Sequence, residues 1–405
     1  MTIALALAEW AHSLHPTDTD LSLAQRSLVD TIAVTLAARD HPLVKTTSTL
    51  SEVAHWASTG HVLDFDDLHM ESTTHISVVI VPTVLAAGGT AEDYLAGAGV
   101  MARLGNALGW SHYARGWHAT CTAGAPAAAV AASLSLGLDI EQTAHAISLA
   151  IPAAGGAQRA FGTPGKPLQV GFAAEAGLRA AFLARAGARS DLRVVDDWLA
   201  LVGARHIAID TSGSAIPGGL AIKLFPCCYA MQRPIGAMRS IRSELEIRDI
   251  AAIRVCTPAD TVRPLIHHNP TTGLEGKFSL EYALATALLD DFPGFASFTD
   301  AAVQRPDADS LVRLVTVELP ETSEDNLLAG DVTISVQRHD GSCAEATLAL
   351  PPGSPDLPPT PSEMAAKVVS CGIDVPDLTA SLTWENGAHL LRDQLPVLMR
   401  ETEPA

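Results

Sequence analysis

Between residues 61 and 75 the chain reads H-V-L-D-F-D-D-L-H-M-E-S-T-T-H, with three aspartates and three histidines. The largely apolar stretch 76–87 follows at once. Carboxylates and imidazoles beside an apolar segment are costly to bury unless each is paired or hydrogen-bonded. Asp64, Asp66, Asp67, His69 and His75 therefore read as parts of a site that holds an anion or moves protons. His and Asp at short spacings could also ligate zinc or iron. Asp66-Asp67-Leu-His-Met-Glu71 approaches an aspartate-rich magnesium motif, but its acidic spacing is off and no convincing second metal motif accompanies it. The bland alternative is helix capping and core hydrogen bonding by Asp66, Asp67 and Thr74. The favoured reading is a metal-free polar site containing at least Asp64 and His75.

The lysines strengthen it. Only five occur (Lys45, Lys166, Lys223, Lys277 and Lys367) among 26 basic residues, so surface charge is carried mostly by arginine. Lys166 lies in G-T-P-G-K-P-L, Lys223 in L-A-I-K-L-F-P-C-C and Lys277 in L-E-G-K-F-S-L-E-Y, all among Gly, Pro or large apolar residues. Such a lysine can hold a carboxylate as a point charge, or merely lay its stem along apolar surface. Three such contexts favour at least one functional lysine. His118, in R-G-W-H-A-T-C-T-A-G, precedes a small-residue helix; taken alone it is as well explained as a structural histidine. Tyr282, a helical step beyond Lys277, is either a core aromatic or a proton-handling phenol.

The bulk composition bounds the function. A net charge of −19 sets nucleic acid and anionic membranes aside as partners, so an anionic substrate needs a local cluster of cations. Six cysteines, two of them adjacent at 227 and 228, form no disulfide framework and suit a reducing compartment. The N-terminus meets Glu9 early and reads as helix rather than signal peptide, and apolar runs break before spanning length, so a cytoplasmic protein is expected.

The elements that must position these residues are helical in the first half. Thr90-Ala-Glu-Asp93 starts a helix running toward Leu108 as a capping box; residues 123–136 and 140–151 form a pair around Gly137; residues 168–186 make another long helix. From about Ile250, strand patterns cover 251–256, 311–319, 331–337 and 344–350, with an Asp-Gly hairpin turn at 340–341 and a helix over 279–289. A proline-rich linker over 351–361 precedes renewed helix. The layout is mainly α with an inserted α+β part: a large helical domain from residues 1–222 and 353–405, and a smaller α+β lid over 223–352.

In order and content these motifs resemble the MmgE/PrpD family, which includes 2-methylcitrate dehydratase, cis-aconitate decarboxylase and iminodisuccinate epimerase. The resemblance runs through H-V-L-D-F-D-D-L-H with T-H-I-S, G-W-H-A-T, K-P-L-Q-V-G-F-A-A-E-A-G, I-K-L-F-P-C-C-Y-A and T-G-L-E-G-K-F-S-L-E-Y. It implies the same two-part fold, usually as a homodimer, with a pocket of Asp64, His75, His118, Lys166, Lys223 and Tyr282. The implied reactions make or quench carbanion character beside a carboxylate. Lys166 and Lys223 would clamp substrate carboxylates, His75 and His118 would carry protons, Asp64 would orient an imidazole or act as base, and Tyr282 would donate to the leaving group.

The departures lie at Leu68, where the decarboxylase pattern has threonine, and at Cys228, where it has histidine. Met231-Gln232 and Gly236 depart as well. They argue against cis-aconitate decarboxylase itself. Cys228 stays in the binding set. No nucleotide, flavin or pyridoxal motif is evident, so no cofactor is expected. The reading is a dehydratase-type lyase, with decarboxylation second, acting on a small hydroxy di- or tricarboxylate. A racemase or epimerase in the same pocket, or a non-catalytic anion-binding member, are the rivals.

Overall fold

The computed structural model describes residues 1–204, 208–321, 328–372 and 381–398. Alanine-rich helices pack closely because small side chains let backbones approach. The helix Gly165–Arg185 lies against the helices Ala119–Ser135, Glu52–Val62 and Ile140–Ala150. Gly171 and Gly177 make this possible: a Cβ on either would sit 2.5–2.7 Å from neighbouring backbone atoms. The capping box at Thr90 is formed, its N–H donating to Asp93 at 2.8 Å, and the helix it starts runs Ala91–Ala114, past its expected end, with a break at Gly109. No described helix is long and apolar enough to cross a membrane.

The strands form one sheet in the order β2-β1-β3-β4. Here β1 is Ile250–Cys256, β2 Val315–Glu318, β3 Val332–Arg338 and β4 Cys343–Leu348. β1 pairs parallel with β2 and antiparallel with β3, and β3–β4 is the hairpin that turns through Gly341 at φ 87°. Residues 311–319 are not all strand as expected. Pro306 opens a helix, Pro306–Val312, and only the end of the stretch joins the sheet.

Among the described residues two large hydrophobic cores result, beside a small cluster of Ala38, Leu43 and Val62. One gathers the N-terminal helices with Val368, Leu391 and Leu395 from the C-terminal return. The other is built on the sheet and the helices Gln232–Ile241 and Leu280–Leu289, and it also takes in Leu68, Trp110, Tyr113, Ala119 and Phe161 from the first half of the chain. Those five residues mark the seam between the cores. The site lies there.

Candidate active site

The helix Glu52–Val62 starts on a Ser51 cap and ends at Leu63, where the chain turns back through Asp64 before entering the helix Ser77–Ala87. Asp64 has φ 54°, in the left-handed region that L side chains rarely adopt, and such a residue costs on the order of 1–3 kcal/mol. Its surroundings hold it there. Lys223 Nζ donates to the Asp64 carbonyl at 2.9 Å and to its Oδ1 at 2.8 Å, and Lys166 Nζ donates to the same Oδ1 at 2.7 Å. Lys277 Nζ donates to the Leu63 carbonyl and, at 2.6 Å, to that of Pro226. Lys367 Nζ donates to the Phe65 carbonyl at 2.8 Å and pairs with Asp30 Oδ1 at 2.7 Å. Four of the chain's five lysines thus converge on residues 63–65.

The strand-like segment that carries Lys223 is tied to the same loop. Leu68 and Ala221 exchange backbone hydrogen bonds at 3.0 and 2.8 Å. Gln232 supports the next residues, its Oε1 accepting from the Leu224 and Phe225 N–H groups at 3.2 and 3.1 Å. This departure from the family pattern has a local structural task.

A histidine cluster lies beside the loop. Asp66 Oδ2 accepts from His61 Nδ1 at 2.8 Å and lies 3.0 Å from His75 Nδ1, while His75 Nε2 is 4.0 Å from Asp64 Oδ1. The His61 ring meets that of His75 edge-on at 4.7 Å and stacks on that of His118 at 5.9 Å. His118 stands at the start of the helix Ala119–Ser135, its Nδ1 3.2 Å from the Cys121 sulfur. Asp64 Oδ2 and the Nε2 atoms of His61 and His118 are buried with no hydrogen-bond partner among the described residues. Buried polar atoms left open in this way mark a place that a ligand or water completes.

Charge is distributed unevenly. Burial alone would raise the Asp64 carboxyl, but Lys166 and Lys223 hold it well below the usual range. Asp66 is likewise held low against burial by His61 and His75. Burial pulls His75 down to about 4 and His118 well below its ordinary value, so both imidazoles are neutral near pH 7. Lys223 stays charged: burial opposes its proton, yet Asp64 and Asp66 raise it overall. Lys277, which donates to two backbone carbonyls and to no carboxylate, falls to about 8 through burial.

Asp64, His75, His118 and Lys166 form the polar end of a narrow cavity of about 20 Å³. Leu68, Phe161, Phe278, Tyr113, Tyr229 and Cys228 supply most of the remaining wall. Cys228 is therefore at the cavity, its thiol pushed up to about 11 by burial. Lys223 is fully buried behind Asp64 and does not reach the wall.

Tyr282 requires a correction. It sits on a helix capped by Ser279, and its hydroxyl donates to the Ser297 carbonyl at 2.5 Å with its ring against Phe298. It belongs to the core of the α+β part and does not line the cavity. Asp67 and His69 also serve the fold. Asp67 accepts from the Ser77 hydroxyl and N–H, and His69 bridges Ser72 and the Pro217 carbonyl. Residues at the site that sequence reasoning did not select are His61, Tyr113 and Lys367, whereas Asp66 was named with the 61–75 run. His61 stood within the 61–75 run and could have been chosen. Tyr113 carried no signal beyond its nearness to His118.

His61, Asp64, Asp66 and His75 bring ligand atoms within 4.8 Å of one another, the set that could hold a cation. Two ammonium groups already face Asp64 Oδ1 within 2.8 Å. A dication bound at Asp64 would be repelled by both, so the donor set fits a proton network better than a metal.

Comparison with known proteins gives the setting. The model of the MmgE/PrpD N-terminal domain matches residues 54–202, and that of the MmgE/PrpD C-terminal domain matches residues 225–382. A cis-aconitate decarboxylase of Aspergillus terreus (strain NIH 2624 / FGSC A1156) is 28% identical over 348 residues, spanning 74% of this chain and 69% of its own length. The cis-aconitate decarboxylase of Homo sapiens is 26% identical over 319 residues, spanning 70% and 64%. The cis-aconitate decarboxylase-like protein oryM of Aspergillus oryzae is 33% identical over 142 residues, spanning 31% and 30%.

Proposed function

The chain belongs to the MmgE/PrpD family, and from that premise we propose that it is a lyase acting on a small hydroxy di- or tricarboxylate, by dehydration before decarboxylation, without a cofactor. The supporting observation is the Asp64 carboxylate, fixed by two ammoniums at one oxygen and open at the other, beside two neutral imidazoles at one cavity. The cavity of about 20 Å³ widens to admit the acid; Lys166, on its wall, then receives the substrate carboxylate, and Lys223 keeps Asp64 ionised from behind. When the proton next to that carboxylate leaves, charge grows on the carboxylate oxygens. A fixed ammonium in a dry site stabilises that charge without reorganising. His118 takes the proton at its open Nε2, with His75, steadied by Asp66 and Asp64, as the second carrier. This imidazole pair hands the proton to the hydroxyl of the neighbouring carbon, which leaves as water while the C–H electron pair forms the alkene.

The relatives named as cis-aconitate decarboxylases support a carboxylate-directed lyase. Leu68 and Cys228 in the wall argue for a different acid. One further reading has its own observation: two imidazoles at one cavity also suit an epimerase that removes a proton and returns it on the other face. The homodimer is carried in the proposal by the family resemblance and the cytoplasmic location by the composition, and light scattering checks the dimer.

The test is incubation of the purified protein with a panel of hydroxy di- and tricarboxylates, reading the absorbance of the conjugated alkene and the release of CO2. Alkene without CO2 is the expected result. Inertness toward the whole panel, together with tight binding of one acid, would replace the lyase by an anion-binding protein.

A further inference from the structure

Charge that grows on a substrate oxygen calls for a hydrogen-bond donor besides Lys166, and three phenols stand near enough to be compared. Tyr282 is committed to the Ser297 carbonyl, and the Tyr229 hydroxyl points at the Met70 sulfur at 3.4 Å. Tyr113 differs. It is 5% exposed and lines the cavity with Asp64 and Cys228, and its one side-chain-mediated hydrogen bond among the described residues is at its backbone carbonyl, which leaves the hydroxyl uncommitted.

The local fold is built to deliver it. Gly109 breaks the helix Ala91–Ala114 with φ 65° and ψ −178°, a conformation open to glycine, so residues 110–114 leave on a new axis. Trp110 stacks on the Tyr113 ring at 5.0 Å with 23° between planes. Gln158 Nε2 donates to the Tyr113 carbonyl at 2.6 Å, and Arg263 from the α+β part donates to the Ala114 carbonyl at 2.8 Å. Ring and backbone are held while the hydroxyl is left open. The hydroxyl is thus free to meet whatever enters the cavity that Tyr113 lines, and a ligand there would complete it.

We propose that Tyr113 is a catalytic hydrogen-bond donor that contacts the substrate oxygen on which negative charge develops, an inference that rests on the carboxylate-directed reading above. Burial, with the Cys228 thiol and the Asp64 carboxylate beside it, pushes the phenol well above its ordinary value. It stays protonated through the reaction and donates without adding charge of its own.

The experiment compares Tyr113→Phe with Tyr282→Phe in the full chain, using whichever acid of the panel the unmodified protein turns over. Tyr113→Phe is expected to lower kcat by about 10²–10³, the effect of losing one oxyanion donor, with KM and Tm little changed. Tyr282→Phe is expected to lower Tm and leave kcat in place. Full activity in Tyr113→Phe, or the larger kcat loss in Tyr282→Phe, overturns the assignment and leaves the lyase reading standing. If Tyr113→Phe does not fold, 2,3,5-trifluorotyrosine at position 113 keeps the shape and acidifies the phenol. The alkaline limb of kcat then moves to lower pH, and an unmoved limb overturns the assignment. An unmodified protein inert to the whole panel overturns the lyase reading, and this inference falls with it.

Discussion

On one side of residues 63–65, Asp64 receives Lys166 and Lys223; on the other, Asp30 receives Lys367, which also holds the Phe65 carbonyl. All five side chains are buried. Asp64, with two ammoniums, is held well below the usual carboxylate range. Asp30, with one close ammonium, is raised because burial outweighs Lys367. A single lysine does not offset the desolvation of a carboxylate here, and two do. The second difference is the neighbourhood: Asp64 lies at a cavity with two imidazoles, whereas Asp30 lies within the helical core below the loop. The same residue types serve chemistry above the loop and support below it.

The comparison breaks most easily at the proton carriers. Replacing His118 by Gln keeps a polar side chain and removes the titrating group, so turnover should fall by about 10²–10⁴ with affinity and Tm little changed. Steady-state kinetics read this directly. The opposite pattern, affinity lost and turnover kept, would make His118 a binding residue and leave His75 as the carrier.

Below the loop the expected loss is of stability. Lys367→Met strands Asp30 as a buried carboxylate and should cost about 3–5 kcal/mol in urea unfolding. The double variant Asp30→Asn with Lys367→Met removes both charges and should recover much of that loss. Its turnover should stay low, because the Phe65 carbonyl still lacks its donor. Full turnover in the double variant would show that Lys367 supports the fold alone.

Above the loop, Lys166→Met should weaken affinity tenfold or more, since a charge-assisted contact of about 1.5–3 kcal/mol is lost. Lys223→Met sharpens the comparison further by leaving Asp64 with one lysine, as Asp30 has. Its carboxyl should then rise and bring an acid limb into the rate profile. A profile identical to that of the unmodified protein would contradict the two-lysine account.

The smallest effect is on stability against pH. His75 falls from 6.5 unfolded to about 4 folded through burial, so the unfolded chain binds more protons between those values. Its contribution is fully present above pH 6.5 and is lost as pH falls toward 4; His55, also about 4, adds to it with the same sign. Tm should decline over that window, and His75→Gln should flatten part of the decline.

Much of this was legible where the signal is local. The cap at Thr90, the helix that begins near Ser279, the Asp340-Gly341 turn and the 61–75 run all lie within a few residues of what they specify. Long-range pairing was not. Lys367 reaches the Phe65 carbonyl across 302 positions, and nothing in its own helix, Pro361–Ser370, announces that contact. Tyr282 went astray for a related reason: motif order ranks residues along the chain but does not say which way a helix faces. The odd lysines were informative because their apolar settings excluded a solvated role. The outcome was nevertheless subtler than a substrate clamp, since Lys166, Lys223 and Lys277 hold one another's loop before any ligand arrives.

The most direct test of carbanion chemistry at this cavity is proton NMR of the carboxylate panel in deuterated water, with the unmodified protein and His118→Gln side by side. The account predicts that one acid loses the signal next to its carboxylate, through elimination or through deuterium uptake, and that His118→Gln slows this loss by about 10²–10⁴. No loss or exchange in any acid, or an equal rate in both proteins, would contradict it.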